Sequence, residues 1–83
     1  QAVYVATPNA HHARLVEALA AAGLPVLCEK PLARTAAEAA GMVAAAEAAG
    51  TLLATAFDQR FHQAHVRLRE LVQAGALGTI TCV

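Results

Sequence analysis

Residues 25–33 read "PVLCEKPLA". Val26, Leu27 and Cys28 are a short apolar run, as expected of a buried strand. Glu29 and Lys30 then place a carboxylate and an ammonium at the mouth of that strand, and Pro31 stops any ladder from continuing. Only 14% of the chain is charged. Loops and helix faces hold charge at less cost, and buried charges require partners. The position of this pair therefore needs a reason, which the flanking sequence supplies.

On the N-terminal side, "AVYVAT" (2–7) is a second short apolar, β-branched run. It leads into "PNAHHARLVEALAAAG" (8–23), where Asn9 is a natural N-cap and Gly23 a natural stop. His12, Leu15, Val16 and Leu19 fall on one face of that helix. On the C-terminal side, "RTAAEAAGMVAAAEAAG" (34–50) begins with Thr35 and Glu38 at capping-box spacing and ends at Gly50. Met42, Val43 and Ala46 give it a buried stripe. "TLLATAF" (51–57) reads as a third strand, and "RFHQAHVRLRELVQAG" (60–75) as a third helix burying Phe61, Ala64, Leu68, Leu71 and Val72. "GTITCV" (78–83) begins a fourth strand.

The order is β-α-β-α-β-α-β. Continuous apolar strands alternating with amphipathic helices predict an α/β fold, a parallel sheet covered by helices and joined by right-handed crossovers. The chain has 83 residues, 58% hydrophobic but only 4% aromatic, so a modest, alanine-rich core is expected. It opens on Gln1 and runs apolar to Val83, which predicts a piece of a longer protein.

Six basic and six acidic side chains balance to zero. That argues against nucleic acid or an anionic membrane as partner. The Arg60, Arg67, Arg69 cluster reads mainly as a solvated helix face. No stretch reaches the roughly 20 apolar residues of a membrane span. Cys28 and Cys82 have no CxxC partner, which fits a reducing, cytoplasmic setting; Cys28 reads as a small buried hydrophobe. No metal site is expected, because nothing fixes His11, His12, His62 and His65 as convergent ligands.

In open α/β sheets, ligands bind outside the carboxyl ends of the strands. Three polar clusters fall there: Thr7-Pro8-Asn9 after the first strand, Glu29-Lys30-Pro31 after the second, and Asp58-Gln59-Arg60-Phe61 after the third. Thr7-Pro8-Asn9 is also explained as a turn and helix cap. Arg60 is also explained as a surface charge, although a cation at a helix start opposes the dipole. Glu29 and Lys30 resist such a reading, and a lysine so placed suits proton transfer.

Together, "VYVATPNAHHARLVEALAAAGLPVLCEKPLA" and "AFDQRFHQAHVRLRELVQAGALGTI" resemble the GFO/IDH/MocA family (glucose–fructose oxidoreductase, inositol dehydrogenase and MocA-like) of nicotinamide-dependent oxidoreductases. The resemblance rests on T-P-N-x-x-H, E-K-P and R-F in their order and strand-end context, and it covers essentially the whole chain. It implies the second half of a Rossmann-type nucleotide-binding domain over residues 1–76, with residues 77–83 beginning a substrate domain. It also implies NAD or NADP as cofactor, a sugar- or polyol-like substrate and a homo-oligomeric full-length protein.

By position, Lys30 matches the lysine beside the nicotinamide that orients substrate and relays a proton. Glu29 matches the carboxylate that contacts ribose hydroxyls or steadies that lysine. Pro31 matches a proline whose preceding peptide bond is often cis. Thr7, Pro8 and Asn9 match the loop against the cofactor, His12 the histidine of T-P-N-x-x-H, and Arg60 the arginine near the cofactor and the domain junction. Asp58 departs from the neutral polar residue usual there, and Gln63 from a common proline. No G-x-G-x-x-G occurs, so the pyrophosphate loop is absent from these residues. The implied activity is hydride transfer between NAD(P) and a secondary alcohol, with residues 1–83 alone inactive. The same fold also serves non-catalytic, dinucleotide-sensing modules.

Overall fold

In the computed structural model, residues 1–82 are described. Three short strands, β1 (Val3–Val5), β2 (Val26–Cys28) and β3 (Leu53–Thr55), form one parallel sheet in the order β1-β2-β3. The register aligns Val3 with Val26 and Leu53, Tyr4 with Leu27 and Ala54, and Val5 with Cys28 and Thr55. Backbone bonds carry the ladder past the strands, from Glu29 N–H to the Val5 carbonyl at 2.9 Å and from Ala56 N–H to the Cys28 carbonyl at 2.8 Å. The α/β parallel architecture is as the alternating pattern predicts.

The helices are α1 (His12–Ala21), α2 (Ala36–Ala49) and α3 (Gln63–Gln73). Helix α1 packs on β1, β2 and α2. The core between the helices and one face of the sheet holds Val5, Val16, Val26, Cys28 and Met42. Cys28 and Met42 are completely buried. Side chains alternate along each strand, so Tyr4 and Leu27 point to the other face, where they are 55% and 42% exposed.

The helix termini follow their chemistry in two places. The Thr35 hydroxyl accepts from the Glu38 N–H at 3.1 Å and caps α2. Gly50 ends α2 in the left-handed region at φ 64°, where a side chain is strained. The return arm of the capping box is displaced by one residue: the Glu38 carboxylate accepts from the Arg34 N–H at 3.0 Å and from its guanidinium.

Four expectations are corrected. Asn9 does not cap α1; a 3-10 turn over Asn9–His11 precedes the helix, which starts at His12 without a side-chain cap. Val43 is 42% exposed, because it lies beside and not within the stripe formed by Met42 and Ala46. A 3-10 turn over Asp58–Phe61 starts the third helical segment, and that turn is the element α3 packs on most among the described residues. Its apolar side chains therefore stay outside the core: Phe61 is 79%, Leu68 51% and Val72 41% exposed. Finally, residues 78–82 form no strand; Val83 lies outside the described residues.

Candidate functional site

The carboxyl ends of the three strands open on one edge of the sheet. Two straps tie this edge together. The first is His12 at the start of α1, which is 1% exposed. Its Nε2 lies 2.9 Å from the Thr7 carbonyl, in the loop after β1. Its Nδ1 lies 3.1 Å from the Pro31 carbonyl and 3.3 Å from that of Leu32, in the loop after β2. Carbonyl oxygens only accept, so the imidazole donates at whichever nitrogen carries hydrogen. One buried ring thus joins two of the three polar clusters.

The second strap is Glu29. One carboxylate oxygen accepts from the Tyr4 hydroxyl, and the other from the Lys30 N–H at 2.9 Å. These bonds favour the ionised form. They hold the Glu29 carboxyl below the usual carboxylate range, the Tyr4 bond acting most strongly, and they push the Tyr4 phenol up. Burial pushes the neighbouring Cys28 thiol up as well, as suits an inert core thiol.

Lys30 follows, with a cis peptide bond to Pro31. Among the described residues its ammonium joins no salt bridge. It lines a cavity of about 210 Å³ together with Phe57, Asp58, Gln59 and Arg60 from the end of β3. The structure therefore brings Lys30 and Arg60 to one cavity. Hydrogen bonds join His12 to the Thr7 and Pro31 carbonyls and, separately, Glu29 to Tyr4 and the Lys30 N–H. Pro8 is exposed, and the Asn9 side-chain oxygen is buried without a partner, so neither joins that network. Thr7 also borders a separate apolar groove of about 370 Å³ beside β1.

Sequence reasoning missed Tyr4 and set Asp58 aside. Tyr4 lies two positions short of Glu29 across the β1–β2 register, a diagonal pair on one face. Only the register shows this, and the sequence alone does not supply it. Elsewhere, His62 and His65 stack at 5.8 Å on the exposed side of α3, and His65 Nδ1 lies 2.8 Å from the Gln59 carbonyl. Among the described residues, no helix is long and apolar enough to cross a membrane.

Residues 1–57 match the oxidoreductase family with an NAD-binding Rossmann fold, GFO/IDH/MocA. The chain belongs to that family. It is 48% identical over 82 residues to a D-xylose 1-dehydrogenase (NADP(+)) of Haloferax volcanii, covering 99% of this chain and 25% of the relative. Among solved structures it resembles the aldose-aldose oxidoreductase of Caulobacter crescentus complexed with glycerol, at TM-score 0.91 and 42% identity over 94% of this chain and 23% of that one. It also resembles an inositol dehydrogenase homologue of Azotobacter vinelandii complexed with NADH and myo-inositol, at TM-score 0.88 and 39% identity, over 96% and 21%. The chain thus spans about a quarter of the length of the relatives it matches.

Lys30, Asp58 and Arg60 bring charged groups to the cavity at this strand-end edge and Phe57 an apolar side chain, a lining that fits part of a dinucleotide. No glycine-rich phosphate loop occurs in this GFO/IDH/MocA chain, so the residues that would hold the pyrophosphate are not among these.

Proposed function

We propose that the full-length protein is an NAD(P)-dependent oxidoreductase that transfers a hydride between the dinucleotide and a sugar, polyol or related secondary alcohol. In this reading residues 1–76 are the second half of its cofactor domain, and residues 77–83 lead into a substrate domain. The observation that carries it is the cavity at the carboxyl edge of a parallel sheet, lined by a lysine that joins no salt bridge among the described residues, in a chain of this family. The xylose, aldose and inositol enzymes among its relatives support the substrate class.

When bound, the nicotinamide dinucleotide supplies the hydride donor or acceptor. Lys30 binds the reacting oxygen. In the oxidising direction its amine takes the hydroxyl proton, and in the reducing direction its ammonium returns one to the carbonyl oxygen. Glu29, Thr7, Pro8, Asn9 and Pro31 belong to the rim against the cofactor, with His12 fixing their loops and Arg60 flanking Lys30. The free thiols of Cys28 and Cys82 suit a reducing, cytoplasmic setting. The family resemblance adds a homo-oligomeric assembly. Residues 1–83 alone are expected to bind dinucleotide weakly and to catalyse nothing, since the phosphate loop supplies much of the grip.

The test is titration of the full-length protein with NAD and NADP, followed by nicotinamide absorbance over a panel of sugars and polyols. Binding with turnover of at least one substrate is the expected result. Binding without turnover on any of them assigns the protein to the non-catalytic, dinucleotide-sensing class. Absence of binding contradicts both.

A further inference from the structure

Both oxygens of the Glu29 carboxylate are engaged, and both donors belong to this chain: the Tyr4 hydroxyl on one and the Lys30 backbone N–H on the other. Tyr4 stands in the middle of β1, on the sheet face away from α1 and α2, and reaches diagonally to the end of β2. The Lys30 side chain, one residue on, joins no salt bridge among the described residues. The two residues are adjacent in the chain and share the hydrogen bond from the Lys30 backbone N–H, yet their side chains are not paired.

We propose that Tyr4 is a positioning residue of this site: its hydroxyl holds the Glu29 carboxylate against the sheet and so leaves the Lys30 ammonium free for the reacting oxygen. This rests on the reading of Lys30 as the group that handles the proton. A freed Glu29 carboxylate would have an adjacent ammonium as its nearest strong donor, and a carboxylate beside an ammonium favours the charged form. Lys30 would then meet the substrate already occupied. The other titratable or charged groups around the pair are His12 from α1, with Asp58 and Arg60 from the turn after β3.

The experiment compares the full-length wild type with Tyr4→Phe, Glu29→Gln and the double variant. Tyr4→Phe is expected to lower kcat about ten-fold, less than the roughly 10²–10⁴-fold for outright loss of a general acid–base group, with dinucleotide Kd held within about two-fold. The acid limb of kcat/KM in the oxidising direction should move to higher pH in Tyr4→Phe and return in the double variant, where no carboxylate remains to pair with Lys30. A merely structural role would not produce that reversal. An unchanged profile in Tyr4→Phe, or a shift that persists in the double variant, overturns the proposal.

Ultraviolet titration of the phenols gives a second readout that needs no activity. The difference between wild type and Tyr4→Phe should show Tyr4 titrating above the ordinary 10.0, and Glu29→Gln should bring it down. If Tyr4→Phe does not fold, wild type against Glu29→Gln reads the same phenol from its partner's side. A phenol signal indifferent to Glu29 overturns the proposal by this route. If the wild type turns over no sugar or polyol, the functional reading fails by itself, and the titration alone decides the Tyr4–Glu29 contact.

Discussion

His12 shows how one side chain organises this edge. It is the only buried polar residue among those described, and its ring spans the loops after β1 and β2. A phenylalanine fills similar space but cannot donate, so the carbonyl that the ring N–H serves loses its partner. His12→Phe should cost about 1–3 kcal/mol, from a buried acceptor left unsatisfied. Denaturant unfolding reads this as a lower midpoint at unchanged slope. The sequence placed His12 on the inner face of its helix, because helical spacing reaches that far. It left the ring's partners open, because two loops distant in sequence supply them. The place of Glu29 and Lys30 just past β2 was legible for a different reason: charge at the mouth of an apolar strand is conspicuous in a chain this poor in charge. Tyr4 was not legible, since a tyrosine in a strand has many roles and only the register chooses among them.

Helix α2 carries the clearest element-scale tests. Its N-cap is a single hydroxyl, so Thr35→Ala should cost about 1 kcal/mol. Gly50, at φ 64°, has nothing within 4 Å of an added Cβ. Gly50→Ala therefore isolates backbone strain and should cost about 1–2 kcal/mol. Glu38 links this helix start to pH. Its bond to the Arg34 guanidinium, then to the Arg34 N–H, holds its carboxyl below the ordinary 4.5. A depressed carboxylate contributes stability that is fully present above 4.5 and is lost as pH falls through its lower folded value. Urea midpoints measured from about pH 6 down to 2 should fall less steeply in Glu38→Gln than in the wild type. The sequence predicted the Thr35 arm because a cap depends on neighbours in the chain. It missed the shift of the Glu38 arm to Arg34, since two adjacent N–H groups compete for one carboxylate and spacing does not rank them. The burial predicted for the third helix failed because amphipathic pattern records a preference for a partner surface, and among the described residues α3 packs mainly on its own preceding turn.

At the scale of the whole molecule, shape and core agree. The radius of gyration is 16.2 Å and the longest extent 47 Å. A compact chain of this length has a radius of roughly 12 Å. The excess is α3 and the segment after it, which run beyond the packed unit of β1–β3, α1 and α2. That unit has few fully buried side chains, and Met42 is the largest of them. Met42→Ala should therefore cost about 2–5 kcal/mol, a large fraction of the stability of a small domain. The parallel α/β architecture was legible because alternation of apolar strands with helices is written along the chain. The exposed sheet face at Tyr4 and Leu27 was not, since sequence pattern alone does not say which of two apolar faces has helices to cover it. The central claim is that Lys30, at the carboxyl end of β2, handles the reacting proton. Its most direct test is Lys30→Ala in the full-length protein, with dinucleotide Kd and kcat measured side by side. The account predicts Kd within about three-fold of wild type and kcat lower by about 10²–10⁴-fold, the range for loss of a general acid–base group. Turnover at the wild-type rate in Lys30→Ala would contradict it.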